Sequence, residues 1–295
     1  MSLQDFADVA VVKSLMYGDP GMGKTGSVAA LVNSGRYNLR VLALDGNTTT
    51  SVLRQYVKQE FYDRMSVYVP PMDLTRLGSD GSETVGIPKR FSIVYNMLDQ
   101  WKFTRPNGVE VDLGPVKSWG PKDILMIDNL TQMSTDAMQH TMFQASRVGK
   151  NRRPKDYGTA QDFIRALMEK LASSLIPCNV LVLAHVKMIG PPEPEEKDEE
   201  DVREHKKAVR DIIPYKLYPR VVGRDLAREI ARFFPYSLFY DRRIMGTQVK
   251  RFITTQPRDT ADAKAPLDLP TELPIETGLL TIFNMVHGSG EEKKA

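Results

Sequence analysis

The residues with the clearest chemistry form a glycine-rich segment at positions 18–25, which reads Gly-Asp-Pro-Gly-Met-Gly-Lys-Thr and matches G-x-x-x-x-G-K-[ST]. Its glycines allow backbone N–H groups to point at phosphate oxygens, because no Cβ stands in the way. Lys24 can neutralise the β- and γ-phosphates of a nucleotide, and the Thr25 hydroxyl can bind Mg²⁺. A chance glycine-rich turn is the alternative, but a strand pattern precedes the segment and a helical pattern follows it, as phosphate binding requires. We therefore predict a nucleotide site formed by Gly18, Asp19, Pro20, Gly21, Met22, Gly23, Lys24, Thr25 and Gly26.

A second candidate is Asp128, which ends the apolar run 124–127. If that run is a buried parallel strand, its last residue lies at the carboxyl edge of the sheet, where ligands bind. A carboxylate there can organise Mg²⁺ next to the phosphates. The alternative is an ordinary capping aspartate, since Asn-Leu-Thr at 129–131 could start a helix. We favour the metal role and expect Asp128 to lie beside Thr25.

The segments that must position these residues alternate between strand and helix patterns. Buried strands are predicted at 14–17, 40–45, 65–69, 124–128 and 179–184, and helices at 24–32, 91–101, 135–147, 159–175 and 225–233. Residues 103–113 carry a hairpin signal, and closing strands are predicted at 237–240 and 251–255. This alternation favours an α/β fold with a mostly parallel sheet covered on both faces.

Composition excludes several classes of protein. The 295 residues are 41% hydrophobic and 26% charged, which is typical of a globular chain rather than a disordered or fibrous one. A single cysteine, Cys178, excludes an internal disulfide and a cysteine-based zinc cage, and it fits a reducing cytoplasm. Apolar runs such as 180–184 are far too short to span a membrane, and no signal peptide is recognised. We expect a cytoplasmic protein without membrane contact.

Four segments, taken in order, resemble the RecA-like P-loop ATPases. They are the glycine-rich segment, Leu44-Asp45, Ile127-Asp128-Asn129 and Leu183-Ala184-His185. The chain most resembles the phage-encoded group that includes single-strand annealing ATPases, with further similarity at 156–158, 222–226 and 252–257. The resemblance covers about residues 11–270. It implies a RecA-like P-loop NTPase fold with a C-terminal antiparallel extension, ATP and Mg²⁺ as ligands, and a place in the host cytoplasm if phage-encoded.

The sequence also indicates domain limits, and the resemblance implies roles for site residues. We assign 1–270 to the ATPase domain and 271–295 to a C-terminal strand and a polar, disordered tail. The acidic composition after Pro191-Pro192 predicts a mobile loop, or an exposed helix start, within about 187–215. His185 takes the place of a residue that senses the γ-phosphate, although a histidine ending a strand against solvent is the alternative. Where the family carries a glutamate that orients the attacking water, this chain has Asn47, which cannot act as a base. Asp45 could substitute, or it could be only a turn residue before Gly46, so hydrolysis is expected to be slow.

Two basic regions are candidates for binding other molecules. A run without acidic residues at 147–155, together with Tyr157, lies where the family places a DNA-facing loop. The alternative is a solvated basic loop. The candidate DNA-binding residues are Arg147, Lys150, Arg152, Arg153, Lys155 and Tyr157. The segment after His185 is a second candidate, with Lys187, Lys206, Lys207 and Arg210 around an acidic stretch at 193–204.

In the family, basic residues at the start of a late strand reach a neighbour's γ-phosphate. In this chain those residues are Lys250 and Arg251. Other candidates for the same role are Arg242, Arg243 and Arg258. The alternative is that Lys250 and Arg251 are only exposed charges on a strand.

These observations predict an ATPase that binds single-stranded DNA as a ring or filament and acts in phage recombination or single-strand annealing, with a phage single-strand-binding protein as a possible partner. One alternative is a nucleotide-gated DNA-binding module with little hydrolysis, which Asn47 favours. Another is a remodelling or helicase-loader-type ATPase that acts on a protein, which the acidic stretch favours.

Overall fold

The computed structural model describes residues 10–71, 75–77, 83–85, 88–190, 199–200, 202, 204 and 215–288. Most of the acidic stretch 193–204, the cations Lys206, Lys207 and Arg210, and the predicted tail from 289 onward lie outside these residues. Within the described part of the chain, no helix is both long and apolar enough to cross a membrane.

The strands, in chain order, are β1 (Lys13–Gly18), β2 (Asn38–Ala43), β3 (Met65–Tyr68), β4 (Thr75–Leu77), β5 (Glu83–Val85), β6 (Lys102–Thr104), β7 (Glu110–Asp112), β8 (Asp123–Asp128), β9 (Asn179–Ala184), β10 (Val186–Ile189), β11 (Lys216–Pro219), β12 (Tyr236–Met245), β13 (Gln248–Thr254) and β14 (Glu272–Pro274). The predicted core strands are confirmed, with ends that differ by at most two residues. Of the closing strands, β12 runs five residues further than predicted and β13 begins three residues earlier. The predicted hairpin is β6–β7.

The α-helices are α1 (Lys24–Ser27), α2 (Ala29–Asn33), α3 (Asn47–Tyr56), α4 (Arg90–Asp99), α5 (Leu130–Gln144), α6 (Pro154–Ala172), α7 (Arg224–Glu229) and α8 (Gly278–His287). Short 3₁₀ helices lie at Gln59–Arg64, Val116–Ser118 and Ile230–Phe233. The helix predicted at 24–32 is divided at Val28.

One eight-stranded sheet organises the fold, in the order β14-β13-β12-β1-β9-β8-β2-β3. The six strands from β12 to β3 are parallel, and β13 and β14 add antiparallel pairing beyond β12. The mostly parallel sheet with a C-terminal antiparallel extension is therefore confirmed. Register aligns Ala43 of β2 with Asp128 and Asp128 with Leu183 of β9. The loops that follow β2, β8 and β9 therefore leave the sheet at one edge.

Helices cover both faces of this sheet. Alternate residues of β1 and β9 point to opposite faces: Leu15 and Val182 join the core on the side of α4, α5 and α6, while Met16 and Leu183 join the core on the side of α1, α2, α3 and α8. Because both faces are buried, these strands are continuous apolar runs rather than alternating ones. Trp101 is the largest fully buried side chain and packs edge-on against Trp119.

Three other helices also differ from prediction. Helix α5 begins five residues earlier than expected, because the Asn129 side chain caps it by accepting a hydrogen bond from the N–H of Gln132. Helix α6 begins at Pro154, a residue suited to a first turn, and Asp156 accepts a hydrogen bond from the backbone N–H of Arg153. Helix α8, in the region expected to hold only a strand and a tail, packs into the core and is integral to the domain.

Candidate functional site

The glycine-rich segment connects the end of β1 to the start of α1, as the sequence predicts. Gly21 and Gly23 have φ values of 76° and 88°, which a residue with a side chain rarely adopts. At Gly18 the need for glycine is steric, since a Cβ there would lie 2.5 Å from the backbone oxygen of Tyr240 on β12. The loop is therefore bent by its glycines and packed against the neighbouring strand.

Lys24 is buried at the first position of α1. Its ammonium group donates to the carbonyl oxygens of Gly18 at 2.8 Å and Asp19 at 2.9 Å. Burial lowers the pKa of Lys24 from 10.5 to about 8, while Asp128, Asp19 and Asp45 partly oppose the shift. The folded protein thus holds a cation whose charge is disfavoured until an anion comes close.

Asp128 lies opposite Lys24 at the end of β8, and one of its carboxylate oxygens accepts two hydrogen bonds. The hydroxyls of Thr25 and Thr49 each donate to Oδ2 over 2.9 Å. Burial raises the pKa of Asp128, and the two hydroxyl donors oppose that shift. The predicted contact between Asp128 and Thr25 is therefore present. The capping role weighed for Asp128 belongs instead to the next residue, Asn129.

A second polar group lies where β2, β8 and β9 end. The side-chain amide of Asn129 donates to the carboxylate of Asp45 and is hydrogen-bonded to Nε2 of His185 at 3.1 Å. The His185 Nε2 atom is 3.7 Å from Oδ2 of Asp45. The structure therefore brings Asp45, Asn129 and His185 together. Asn47 is the exposed first residue of α3.

A cavity of about 740 Å³ opens beside these residues. Its floor is the loop and the start of α1, and α3 forms one wall with Thr49, Val52, Gln55 and Tyr56. Another part of the lining is Arg251 on β13, with Ile275 and Glu276 just after β14. Asp45, Asp128 and His185 also line it.

Not every predicted loop residue faces this cavity. Pro20, Gly21, Gly23, Lys24, Thr25 and Gly26 do, whereas Gly18 packs on β12 and Met22 is buried in the core. Asp19 contributes its backbone carbonyl to Lys24.

The structure adds wall residues that the sequence analysis missed. Thr49 belongs to the run Thr48-Thr49-Thr50 after β2, a signal that could have suggested hydroxyl donors near the metal site. Tyr56 ends α3, and its ring would lie 3.4 Å from a Cβ at Gly26. Asn33 holds the end of α3 by donating to the carbonyl of Tyr56 and accepting from the N–H of Lys58. No local sequence pattern indicates Tyr56, Ile275 or Glu276.

The candidates for a charge that reaches a neighbouring subunit have different surroundings. Lys250 and Arg251 are consecutive on β13, so their side chains leave opposite faces of the sheet. Arg251 lines the cavity of its own chain, which the prediction did not anticipate. Arg243 and Arg258 both form ion pairs with Glu272, whereas Arg242 lies across from Arg251 on β12.

The predicted DNA-facing segment is only partly a loop. Lys155 and Tyr157 lie in the first turn of α6. Arg147 forms an ion pair with the buried Asp156 at 3.1 Å. This arginine is therefore paired inside the protein, with the acidic residue that directly follows the run 147–155. The cations Lys150, Arg152, Arg153 and Lys155 are exposed, and no carboxylate of the described residues lies within ion-pair distance of them.

The parallel sheet and the glycine-rich loop together define an α/β protein with a P-loop. No family model matches the chain, and no curated protein matches it. Among solved structures, it is similar to a KaiC-like protein from Pyrococcus horikoshii, with 11% identity, a TM-score of 0.40, and coverage of 90% of this chain and 85% of the other. It is also similar to the flagellar accessory protein FlaH from Methanocaldococcus jannaschii, at 8% identity and a TM-score of 0.38, covering 90% and 84%. A type III secretion system ATPase of pathogenic bacteria is 10% identical, with a TM-score of 0.38 and coverage of 79% and 51%. Because these identities and TM-scores are low, the classification of this chain depends on its own strand order and loop and not on these similarities.

Proposed function

We propose that this protein binds ATP together with Mg²⁺ in the cavity at the carboxyl edge of its sheet, and that it hydrolyses the bound ATP. The observation that carries the proposal is the 2.9 Å hydrogen bond from Thr25 to Asp128, formed beside the buried ammonium of Lys24. A hydroxyl, a buried carboxylate and a cation meet at the N-terminus of a helix, which is the set of groups that a metal-bound triphosphate needs.

Each group has a defined task in this proposal. Backbone N–H groups of the loop and the Lys24 ammonium bind the phosphate oxygens. Thr25 and Asp128 fit a magnesium site, because Mg²⁺ prefers oxygen ligands and keeps several waters. When bound, the ion would supply positive charge to the phosphate oxygens.

Hydrolysis needs a water molecule held in line with the γ-phosphate. Asp45 is the carboxylate best placed to accept a hydrogen bond from that water, since Asn129 fixes it beside His185. The water oxygen forms a bond to the γ-phosphorus while the bond to the bridging oxygen breaks, giving ADP and phosphate. The proton lost by the water passes to Asp45 or to the departing phosphate. Without a glutamate at Asn47, we expect slow turnover.

The test measures binding of a fluorescent ATP analogue with Mg²⁺, and release of phosphate from ATP. Lys24→Ala removes the buried cation, and Lys117→Ala removes an exposed lysine of the 3₁₀ helix Val116–Ser118 as the matched control. We expect Lys24→Ala to weaken binding by at least about 10-fold, the effect of one charged hydrogen bond, and Lys117→Ala to leave it unchanged. Equal binding by the wild type and Lys24→Ala would contradict the proposal. Release of phosphate by the wild type at the Lys24→Ala rate, with binding intact, would favour a nucleotide-gated binder instead.

A second proposed function is binding of single-stranded DNA, as an oligomeric ring or filament, in recombination or annealing. The exposed cations Lys150, Arg152, Arg153 and Lys155 favour it, since no carboxylate of the described residues lies within ion-pair distance of their charged groups. Each phosphate contact releases counterions, so affinity should fall as salt increases.

The double variant Arg152→Ala/Arg153→Ala tests this function against Arg224→Ala/Arg228→Ala, which removes two exposed arginines of α7. We expect only the first pair to weaken binding to an oligothymidine strand and to make the salt dependence less steep. If both pairs leave affinity unchanged, a protein substrate becomes the better proposal.

A further inference from the structure

The position of Arg251 has a consequence for how the site is completed. Arg251 lies on β13, and its backbone carbonyl accepts a hydrogen bond from the N–H of Ile275 at 3.3 Å. Ile275 in turn packs onto the loop, with its Cδ1 atom 2.7 Å from where a Cβ at Gly23 would lie. The Cδ atom of Arg251 is 3.8 Å from the same point. The arginine side chain therefore extends over the phosphate-binding loop of its own chain.

The register of the sheet fixes this direction. Arg251 pairs with Arg242 on β12. The pair two residues further along, Tyr240 with Ile253, is buried on the α1 side of the sheet, where the Tyr240 hydroxyl is hydrogen-bonded to Ser27. Residues two apart on a strand share a face, so Arg251 shares the face of α1 and Lys250 lies on the other. Of the two consecutive cations on β13, only Arg251 therefore lies on the face of the sheet that contains the cavity.

The charge of Arg251 is not used elsewhere in the described structure. Arg243 and Arg258 are ion-paired with Glu272, whereas no carboxylate of the described residues lies within ion-pair distance of Arg251. Its side chain is exposed, and together with Lys24 it supplies the arginine and lysine charge lining the cavity. A guanidinium group binds phosphate oxygens through two parallel hydrogen bonds, which suits it to a triphosphate.

We propose that Arg251 binds the triphosphate held in its own subunit, and is not a residue that reaches the site of a neighbour. This inference rests on the proposed nucleotide binding and adds a residue to that site. It requires no contact between subunits for the positive charge that Arg251 provides.

Binding of a fluorescent ATP analogue with Mg²⁺ is compared for the wild type, Arg251→Ala, Arg251→Lys and Arg105→Ala, at two protein concentrations. Arg105 is an exposed arginine in the β6–β7 turn, far along the chain from the cavity residues, and serves as the matched control. We expect Arg251→Ala to weaken binding about 10- to 100-fold at both concentrations, Arg251→Lys to weaken it less, and Arg105→Ala to have no effect. Circular dichroism confirms that each variant is folded, and Arg251→Gln replaces the alanine variant if that one is not.

A mixing experiment separates action within a subunit from action between subunits. Equal amounts of Arg251→Ala and Lys24→Ala protein are combined, and phosphate release is measured. If Arg251 acts on its own subunit, the mixture is no more active than the mean of the two variants. Recovery of activity on mixing would overturn the inference, because a neighbour's Arg251 would then complete an intact Lys24 site. Wild-type affinity in Arg251→Ala would also overturn it, whereas failure of the wild type to bind the analogue would refute the proposed function itself.

Discussion

The pH dependence of the unfolding free energy tests whether burial disfavours the charged form of Lys24 and whether bound phosphate restores it. Burial lowers its pKa from 10.5 to about 8 in the folded protein. One pKa unit corresponds to about 1.4 kcal/mol, so this gap amounts to about 3 kcal/mol of unfolding free energy. Between about pH 8 and 10.5 the unfolded chain retains a proton on this lysine that the folded protein has released. The unfolding free energy should therefore rise with pH across that window.

Comparison with Lys24→Met isolates this effect. Urea unfolding is measured from pH 7 to 10.5 for both proteins without nucleotide, and the difference in unfolding free energy is plotted against pH. Burial also lowers the pKa of Lys13 to about 8, but Lys13 is present in both proteins, so its contribution cancels. Loss of the hydrogen bonds to the Gly18 and Asp19 carbonyls gives a constant offset. We expect the wild type to gain about 3 kcal/mol relative to the variant across the window.

Nucleotide provides the second arm of this experiment. With saturating ATP and Mg²⁺, the phosphates should keep Lys24 charged in the folded protein, and the pH-dependent gain should shrink. A difference that is flat with pH in the nucleotide-free proteins would refute the burial argument. A gain that persists unchanged with nucleotide bound would refute contact between Lys24 and the phosphates.

Three further substitutions test other parts of the structure. Thr49→Val removes one hydroxyl donor from Asp128, and urea unfolding at pH 7 should show a loss of about 1.5–3 kcal/mol. That loss should fade as the pH falls and the carboxylate is protonated, because the hydroxyl stabilises its ionised form; a loss independent of pH would contradict the assignment. Gly18→Ala places a Cβ against a backbone oxygen of β12 and should cost about 1–3 kcal/mol, while Gly120→Ala, with open space around it, should change the unfolding free energy little. Trp101→Ala empties a fully buried site and should cost about 3–5 kcal/mol in the same assay, and a smaller loss would mean that the core closes around the cavity.

Local patterns in the sequence were sufficient for the parallel core and for the loop. Strands β8 and β9 are apolar runs that begin at a polar residue, Asp123 and Asn179, which makes them visible in the sequence. The placement of Asp128 and His185 also followed from sequence, because the residue after a buried parallel strand lies at the edge where ligands bind. Helix α8 carried a readable signal that was missed: Leu279, Ile282 and Phe283 are spaced three and four apart and are all buried.

Contacts between distant segments could not be predicted in the same way. The bond from Thr49 to Asp128 joins residues 79 positions apart, and neither local pattern encodes it. The choice between Lys250 and Arg251 depends on the register of β13, where a shift of one residue exchanges the two faces. The ion pair of Arg147 with Asp156 connects the segment after α5 to the first turn of α6, so a run of basic residues in the sequence does not reveal it. These features are set by tertiary packing, which overrides what composition alone indicates.

The two buried charges of the site link its stability to its ligand. Burial disfavours the ionised form of both Lys24 and Asp128, in the first case by lowering a pKa and in the second by raising one. A triphosphate stabilises the cation and a magnesium ion stabilises the carboxylate, so the complete ligand should relieve both costs, whereas either component alone relieves only one. A ligand that binds only the folded state raises the free energy of unfolding. ATP with Mg²⁺ should therefore raise it by more than the sum of the increases produced by ATP alone and by Mg²⁺ alone. We therefore expect the site to favour the metal-bound nucleotide over either component.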